Sequence, residues 1–269
     1  FAGNMPAKEL YERATQVAVF TPIMQWHSEP VGGQFALQYP SADGINDRSP
    51  WNISLLYNDA SLINRLRFHY NLRMNLLPYI YNEAIMSSQT GLPMMKHLIL
   101  EYPEDERVYN IEDIFMLGDL LVAPLLYEGE NSRIVYLPEG EWTPMWDLSM
   151  SCVDDGDSNK IEDEAKLVKN NEFISGGQYY RVFCDEDRIP VFIRQGACIV
   201  LNLDHDLALG SYIGNKLKYQ NLCLYLTGEN GAYHFRDDFG NDIKITWNEH
   251  QHSILQNSKK INFVMLDKL

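Results

Sequence analysis

The chain has 269 residues and a formal net charge of −15 at pH 7, with 45% hydrophobic and 12% aromatic residues. This length can hold one large domain or a few small ones with a substantial core. The acidic balance argues against nucleic-acid and anionic-membrane partners, because phosphate contacts need clusters of Lys and Arg. It is consistent with a neutral substrate. The sequence contains no run of about 18 apolar residues, so no membrane span is predicted.

The four cysteines, Cys152, Cys184, Cys198 and Cys223, are far apart in sequence and form no CxxC pair. We therefore expect reduced structural thiols in a cytoplasmic protein, with no metal site and no cofactor. No signal peptide is recognisable, and the chain begins with Phe1 instead of Met. That start is compatible with a processed, truncated or fragmentary chain.

The first part of the chain combines helical and apolar segments. Residues 6–19 carry apolar side chains at helical spacing. The apolar run over residues 17–24 predicts a buried strand, after which Trp26 and His27 follow abruptly. Active-site side chains of α/β barrels stand at the C-terminal ends of strands. We therefore expect residues 20–30 to present polar and aromatic groups to a substrate.

A polar loop rich in Gly, Pro, Ser and Asp follows over residues 29–51. Loops of this length inside a compact domain are usually functional or disordered. The strongest helical pattern covers residues 61–87, and Pro78 within it predicts a kink or division near Leu77. Residues 94–100 then predict one more buried strand.

After Tyr102 the pattern changes to short apolar segments separated by Gly and Pro turn signals. This alternation predicts antiparallel β structure, either a sandwich or a small barrel. We expect the acidic stretch 154–169 to be an exposed excursion and a third unit to begin near Leu203. The predicted strands cover residues 115–116, 120–126, 132–137, 179–183, 191–193, 221–226, 232–236 and 243–247.

Four runs of the chain form a set: FTPIMQWHSEP (20–30), RFHYNLRMNLLPYIYNEA (67–84), GDLLVAPLLYEGENSRIVYLPEGEW (118–142) and RIPVFIRQGACI (188–199). Together they resemble glycoside hydrolase family 31, the family of α-glucosidases, α-xylosidases and related retaining α-glycosidases. LLVAPLL followed by VYLP-x-G-x-W is the most specific pattern. The segment YHFRDDFGND is similar to the family's YEDDG turn, so the resemblance covers essentially the whole chain.

The resemblance implies a fold of the α/β plus all-β class. Residues 1–101 would be the C-terminal end of a (β/α)8 TIM barrel, residues 102–203 a proximal β-sandwich and residues 204–269 a distal β domain. The implied activity is hydrolysis of α-glucosidic or related linkages by double displacement. Phe1-Ala2-Gly3 matches the end of the family's D-x-G-G-F-x-G run, which lies downstream of both catalytic Asp residues. We therefore expect no catalytic residue in this chain and no activity from it alone.

The resemblance assigns two substrate-binding residues. His27 matches the histidine that binds sugar hydroxyls in the −1 subsite, and Phe1 matches the aromatic wall of that subsite. A neutral imidazole both donates and accepts hydrogen bonds, which suits a vicinal diol. The alternatives are a core histidine and a frayed terminus. Gln25 departs from the commoner Arg-x-His pattern and weakens any inference about the substrate, whereas Trp26 either lines the pocket or packs behind it.

Other polar and aromatic residues have simpler interpretations. Asp47 and Arg48 either reach the active-site mouth or are solvated loop residues. His69 lies on the apolar face of the long helix and is expected to be a core histidine. Tyr79 and Tyr81 are expected to pack in the interior rather than to form sugar platforms.

One acidic group could suggest calcium, because Asp237, Asp238 and Asp242 are close in sequence. A calcium loop normally needs more oxygen ligands at regular spacing. A β-turn explains these residues more simply. We therefore predict a turn and no metal.

The expected partners are a small-molecule carbohydrate and the remaining, N-terminal part of the same enzyme, with homo-oligomerisation left open. Nucleic acid and membrane are not expected. The alternative class is a non-catalytic carbohydrate-binding or structural β-sandwich protein, supported by the strand-rich region after Tyr102. The first hundred residues argue against this alternative, because helices and buried strands of that kind have no place in a sandwich.

Overall fold

The computed structural model describes residues 6–25, 29–30, 45–46, 48–156, 164–185, 187–214, 219, 221–237, 239–248, 251–256 and 263–269. Within these residues, helices dominate the first part of the chain and strands the rest. The helices are α1 (Lys8–Ala18), α2 (Pro50–Leu56), α3 (Ala60–Asn75) and α4 (Leu77–Thr90). The strands are β1 (Glu29–Pro30), β2 (Ile45–Asn46), β3 (Met95–His97), β4 (Phe115–Leu117), β5 (Leu120–Val122), β6 (Ser132–Leu137), β7 (Glu141–Pro144), β8 (Leu148–Val153), β9 (Lys166–Val168), β10 (Ile174–Ser175), β11 (Gln178–Phe183), β12 (Val191–Arg194), β13 (Cys198–Asn202), β14 (Leu222–Leu226), β15 (Gly231–Arg236), β16 (Asp242–Asn248), β17 (Gln251–Gln256) and β18 (Val264–Leu266).

The long helical pattern divides where its proline predicts. α3 begins after Asp59, whose side chain accepts hydrogen bonds from the amides of Ser61 and Leu62. α4 starts at the next turn with Pro78 in its first turn, where a missing N–H costs nothing. It ends at Gly91, whose φ of 74° suits a left-handed C-cap. The predicted division of this segment into two helices is confirmed.

The predicted strand over residues 17–24 is wrong. Its first two residues end α1, and residues 19–22 form turns. The amide of Phe20 donates to the carbonyl of Val17 (3.0 Å), a turn that continues the helix end. Val19 and Phe20 are fully buried, so they reach the core from a helix terminus. The periodicity of a short apolar run does not distinguish a buried strand from such a helix end.

The middle of the chain forms two antiparallel sheets. The six-stranded sheet has the order β10-β7-β12-β5-β4-β3, and the four-stranded sheet has the order β6-β11-β8-β9. Buried residues of both sheets share one core, which includes Leu121, Phe192, Val135 and Val182. This packing is that of a β-sandwich, as predicted.

The central strands of the six-stranded sheet are buried on both faces. Leu121 and Phe192 point to the four-stranded sheet. Their neighbours Leu120, Val122 and Val191 pack instead with side chains of α3 and α4. Burial on both faces explains why β5 and β12 are continuous apolar runs without alternation.

The predicted strand over residues 94–100 is shorter than expected. Only β3 is extended, at the edge of the six-stranded sheet, and a 3-10 turn over Leu98–Leu100 follows it. In the predicted acidic excursion, β9 pairs with β8 and has exposed side chains at Lys166 and Leu167. Residues 157–163 of that excursion lie outside the described residues.

The last part of the chain contains two three-stranded sheets, β13-β14-β18 and β15-β16-β17. Cys198 and Val200 pack against Phe235 and Trp247 to form their shared core. The backbone at Gly231 lies close to the Trp247 ring, since an added Cβ would lie 1.9 Å from that ring. All four cysteines are free thiols, as predicted. In the described part of the chain, no helix has both the length and the apolar character that crossing a membrane requires.

Candidate functional site

The residues predicted to contact a sugar lie outside the described part of the chain. Phe1, Trp26, His27 and Asp47 lie outside the described residues, so their roles stay predictions. The described chain approaches His27 from the turns after α1 and is exposed at Gln25.

The polar loop that follows is closed at its base by a short strand pair. β1 and β2 are antiparallel, with Glu29 opposite Asn46. Just beyond, Arg48 is only 2% exposed, and its carbonyl accepts a hydrogen bond of 2.5 Å from Tyr11 Oη on α1. Arg48 is therefore not a solvated loop residue, and its burial fixes the end of the loop to α1.

The core histidine is confirmed. His69 is 3% exposed, and its ring meets the edge of Phe68 with 5.3 Å between centroids. Burial, followed by the positive charge of Arg188, lowers the pKa of His69 to about 4. Tyr79 is fully buried as predicted, but Tyr81 is 51% exposed and does not pack in the interior. It lies on the outer face of α4, directly after the buried residues Pro78, Tyr79 and Ile80.

The acidic group after β15 forms a turn. Oδ1 of Asp237 accepts the amides of Phe239 (2.9 Å) and Asn241 (2.7 Å), and Arg236 pairs with Asp242 (2.8 Å). The carboxylate of Asp237 is thus occupied by backbone donors, which supports the predicted β-turn. Among the described residues, no group of three or more His, Cys, Asp or Glu side chains could hold a metal ion.

The carboxyl group of Glu83 lies in a cleft of about 290 Å³ between α4, the β4–β5 turn and β15. Burial raises the pKa of Glu83 to about 7, and the negative charge of Asp119 adds to this shift. Lys96 and a hydrogen bond from Tyr233 oppose the shift without cancelling it. Glu83 can therefore gain or lose a proton near neutral pH.

The charged residues around Glu83 are paired with one another. Arg194 Nη2 lies 2.5 Å from Asp119 Oδ1, and Arg194 Nη1 lies 3.4 Å from Glu101 Oε2. Lys96 Nζ lies 2.5 Å from the other oxygen of Glu101. The group joins the end of β12 to β3 and to the β4–β5 turn.

Aromatic and amide side chains complete this junction. Tyr79 stacks on Tyr233 with 6.2 Å between ring centroids, and Asn82 Nδ2 donates to Tyr233 Oη (2.8 Å). The backbone at Gly118 has a φ of 57°, and an added Cβ would lie 2.7 Å from Cδ of Glu83. Glycine is therefore required here for both its conformation and its lack of a side chain.

Chemically, the junction is suited to holding α4 against the β domains. Glu83 is hydrogen-bonded by Tyr233, and Asp119 is paired with Arg194, so both carboxyl groups link neighbouring elements at this junction. The sequence pattern did not identify this group. Its members are brought together from distant positions, as with Arg194 and Asp119, 75 residues apart. The sequence signal for the group is that Glu83, Asp119 and Arg194 each lie in one of the runs that resemble the family, residues 67–84, 118–142 and 188–199.

Protein-family models match the helical part of the chain and the β part that follows it. Residues 1–83 match the model of the Glycosyl hydrolases family 31 TIM-barrel domain, and residues 91–199 match that of the Glycosyl hydrolase family 31 C-terminal domain. The Isomaltosyltransferase of Sporosarcina globispora is 36% identical over 259 residues, which cover 94% of this chain and 21% of the relative.

Solved structures agree with the sequence comparison. The cycloalternan-forming enzyme from Listeria monocytogenes, in complex with pentasaccharide substrate, is similar with a TM-score of 0.75 and 34% identity over 92% of this chain and 21% of that chain. The cycloalternan-degrading enzyme from Trueperella pyogenes has a TM-score of 0.57 and 31% identity over 73% of this chain and 23% of that chain. The chain thus spans about a fifth of the length of its relatives. Since adjoining segments match two domains of one family, the chain belongs to glycoside hydrolase family 31.

Proposed function

We propose that this chain is the part of a retaining α-glycosidase that ends the catalytic barrel, binds sugar through His27 and braces the barrel with β domains. One observation carries the proposal: adjoining segments match both family domains, in a chain 36% identical to Isomaltosyltransferase over 259 residues. The division into residues 1–101, 102–203 and 204–269 is part of the same proposal.

In this proposal the two catalytic carboxyl groups come from outside the chain. Retaining hydrolysis needs two of them roughly 5 to 5.5 Å apart, one attacking the anomeric carbon and one transferring the proton. Glu83 and Asp119 are assigned in this proposal to the junction, where they contact Tyr233 and Arg194. The chain alone would then bind but not cleave.

His27 would donate and accept hydrogen bonds with neighbouring sugar hydroxyls, and Phe1 would wall the same subsite. Contacts that tighten as the sugar ring flattens toward an oxocarbenium ion lower the activation barrier. Both residues are proposed on the family resemblance of their surrounding motifs.

The surface of the helical part supports a missing protein partner. Leu55 of α2 is 76% exposed and Trp51 is 57% exposed, and Ile23 after α1 is 73% exposed. Large apolar side chains on neighbouring helices suit a covered surface. We propose that the rest of the barrel covers them in the intact enzyme.

The proposed substrates are oligosaccharides with α-linked glucose, isomaltosyl units in particular. Relatives bear the names Isomaltosyltransferase and 1,3-alpha-isomaltosidase, the latter from Kribbella flavida and 35% identical over 147 residues, which cover 54% of this chain and 19% of the relative. Glycosyl transfer is the second candidate reaction, favoured by the 36% identity to a relative named as a transferase.

The test uses the intact enzyme with isomaltooligosaccharides and with an aryl α-glucoside. We expect turnover with the α-anomer formed first in proton NMR spectra, since two inversions retain configuration. Products longer than the substrate would show transfer. Sugar binding without turnover by any intact enzyme would favour the carbohydrate-binding or structural alternative instead.

The role of His27 is tested by His27→Ala in the intact enzyme. We expect kcat/KM to fall by about 2–3 kcal/mol in transition-state stabilisation, the size of a hydrogen bond tightened during reaction. His205→Ala is the matched control, because the His205 side chain is 92% exposed. Equal kcat/KM values in the two folded variants would remove His27 from the site.

A further inference from the structure

One side chain of α3 reaches across to the end of α1. The guanidinium of Arg73 donates from Nη1 to the carbonyl of Val19 (2.8 Å) and also to that of Thr21, and from Nη2 to the carbonyl of Pro22 (2.8 Å). A single residue thus holds three backbone acceptors in a short stretch of chain. The planar fork of arginine permits this, whereas a lysine ammonium is a single point of charge.

The positive charge of Arg73 is balanced by peptide dipoles. In the described part of the chain, no ion pair joins Arg73 to a carboxylate, and burial alone lowers its pKa. The carbonyls it binds follow the C-terminal end of α1, where the helix dipole is negative. Arg73 is partly buried, and removing a cation from water without an acid beside it is favourable only while those carbonyls stay in place.

The segment held by Arg73 is also fixed from its other side. Val19 and Phe20 are fully buried in the core shared with α3 and α4. The Thr21 hydroxyl lies 2.9 Å from the carbonyl of Ala18 and 2.8 Å from that of Ile23, within hydrogen-bonding distance of both. Beyond this point Ile23 is exposed, whereas Met24 packs against the same core. The course of the chain out of α1 is therefore set between the core and one guanidinium.

We propose that Arg73 is a positioning residue for the sugar-binding site: it fixes the carbonyls of Val19, Thr21 and Pro22 and so directs the chain that continues to His27. The inference rests on the proposed function for its effect on catalysis. The structural part of the inference, that Arg73 orders residues 19–25, is independent of the proposed function, because this order is measurable without a substrate. Arg73 touches no substrate in this scheme and acts through the backbone.

The experiment compares Arg73→Lys and Arg73→Ala with Arg67→Ala in the intact enzyme. Arg67 is an exposed arginine of the same helix that donates a side-chain hydrogen bond to Asn64 (3.0 Å), so it controls for loss of an α3 charge. Hydrogen exchange of peptides covering residues 19–28 is measured first. We expect exchange about tenfold faster in both Arg73 variants than in the wild type, with Arg67→Ala unchanged.

Kinetics on an isomaltooligosaccharide then give the functional half. We expect kcat/KM about tenfold or more lower in Arg73→Lys at a temperature where it is fully folded, with partial recovery of Arg73→Ala in millimolar guanidinium. A merely structural loss would not be restored by a free guanidinium ion. Unchanged exchange in residues 19–28, or normal kcat/KM in folded Arg73→Ala, overturns the inference. An inactive wild-type enzyme would instead overturn the proposed function, while the exchange result would still decide whether Arg73 orders the segment.

Discussion

The helical and β parts of this chain differ in how completely they bury their apolar side chains. In the six-stranded sheet, Leu121 and Phe192 are fully buried between the two sheets. In the helical part, a separate cluster around Tyr11 and Ile53 is small, and Leu55 on the same helix as Ile53 is 76% exposed. The β part encloses its own core, whereas the helical part leaves one of its faces uncovered.

This difference shows which part of the chain forms its core without other segments of the enzyme. The core between the two sheets is formed only by residues that follow α4, so the β part supplies that core from its own contacts. Helices that end a barrel share their core with strands contributed by other segments. The helical and β parts meet at the junction around Glu83 and Arg194. Contacts at this junction hold the helices against the β part.

The largest effect should come from the β core. Leu121→Ala removes a fully buried side chain and leaves a cavity between the sheets. We expect a loss of about 2–5 kcal/mol in the free energy of unfolding. Urea denaturation of the 269-residue chain measures this, and a loss below about 0.5 kcal/mol would contradict the enclosed core.

An intermediate effect should appear at the junction, and it depends on pH. The pKa of Glu83 is raised to about 7, so the folded state binds this proton more tightly than the unfolded state does. The stabilisation is complete below the ordinary carboxyl pKa and is lost as pH rises through about 7. Wild type should therefore lose about 2 kcal/mol between pH 5 and 8 relative to Glu83→Gln.

The control for this pH dependence is Glu139→Gln, since Glu139 is exposed in the turn before β7. Denaturation curves at pH 5 and pH 8 compare the three proteins. A stability difference between Glu83→Gln and wild type that stays constant across this range would rule out a raised pKa at Glu83.

The smallest effect should come from the uncovered helical face. Leu55→Ala changes a side chain that is mostly in solvent, so we expect the chain alone to lose less than about 0.5 kcal/mol. In the intact enzyme the same change should cost more, about 1–3 kcal/mol, if the rest of the barrel covers this residue. Equal small losses in both proteins would mean that the face stays exposed.

The β part was the more predictable of the two from sequence. β6 spans the predicted residues 132–137, because its flanking turns are marked by Gly and Pro. α2 was not predicted, and its first two residues, Pro50 and Trp51, were placed in the loop over residues 29–51, although Ser49 and Pro50 are a typical helix start. The apolar run over residues 17–24 was assigned to a strand because local periodicity cannot report that a helix ends against a core.

The residues of the candidate site also differ in how far the sequence predicts them. The family motifs predict His27 and Phe1 from local sequence, and both assignments stay predictions. The junction of Glu83, Asp119 and Arg194 depends on long-range contacts that no local pattern contains. The three carbonyl bonds of Arg73 are likewise invisible in a sequence, since the acceptors are backbone atoms more than 50 residues away.

The central claim is that this chain binds the sugar while other segments of the enzyme cleave it. The most direct measurement follows release of free sugar from an isomaltooligosaccharide by proton NMR, with equal concentrations of the 269-residue chain and of the intact enzyme. We predict turnover with retained configuration by the intact enzyme and none by the chain. Hydrolysis by the purified chain alone would place the catalytic carboxyl groups within these residues and contradict the account.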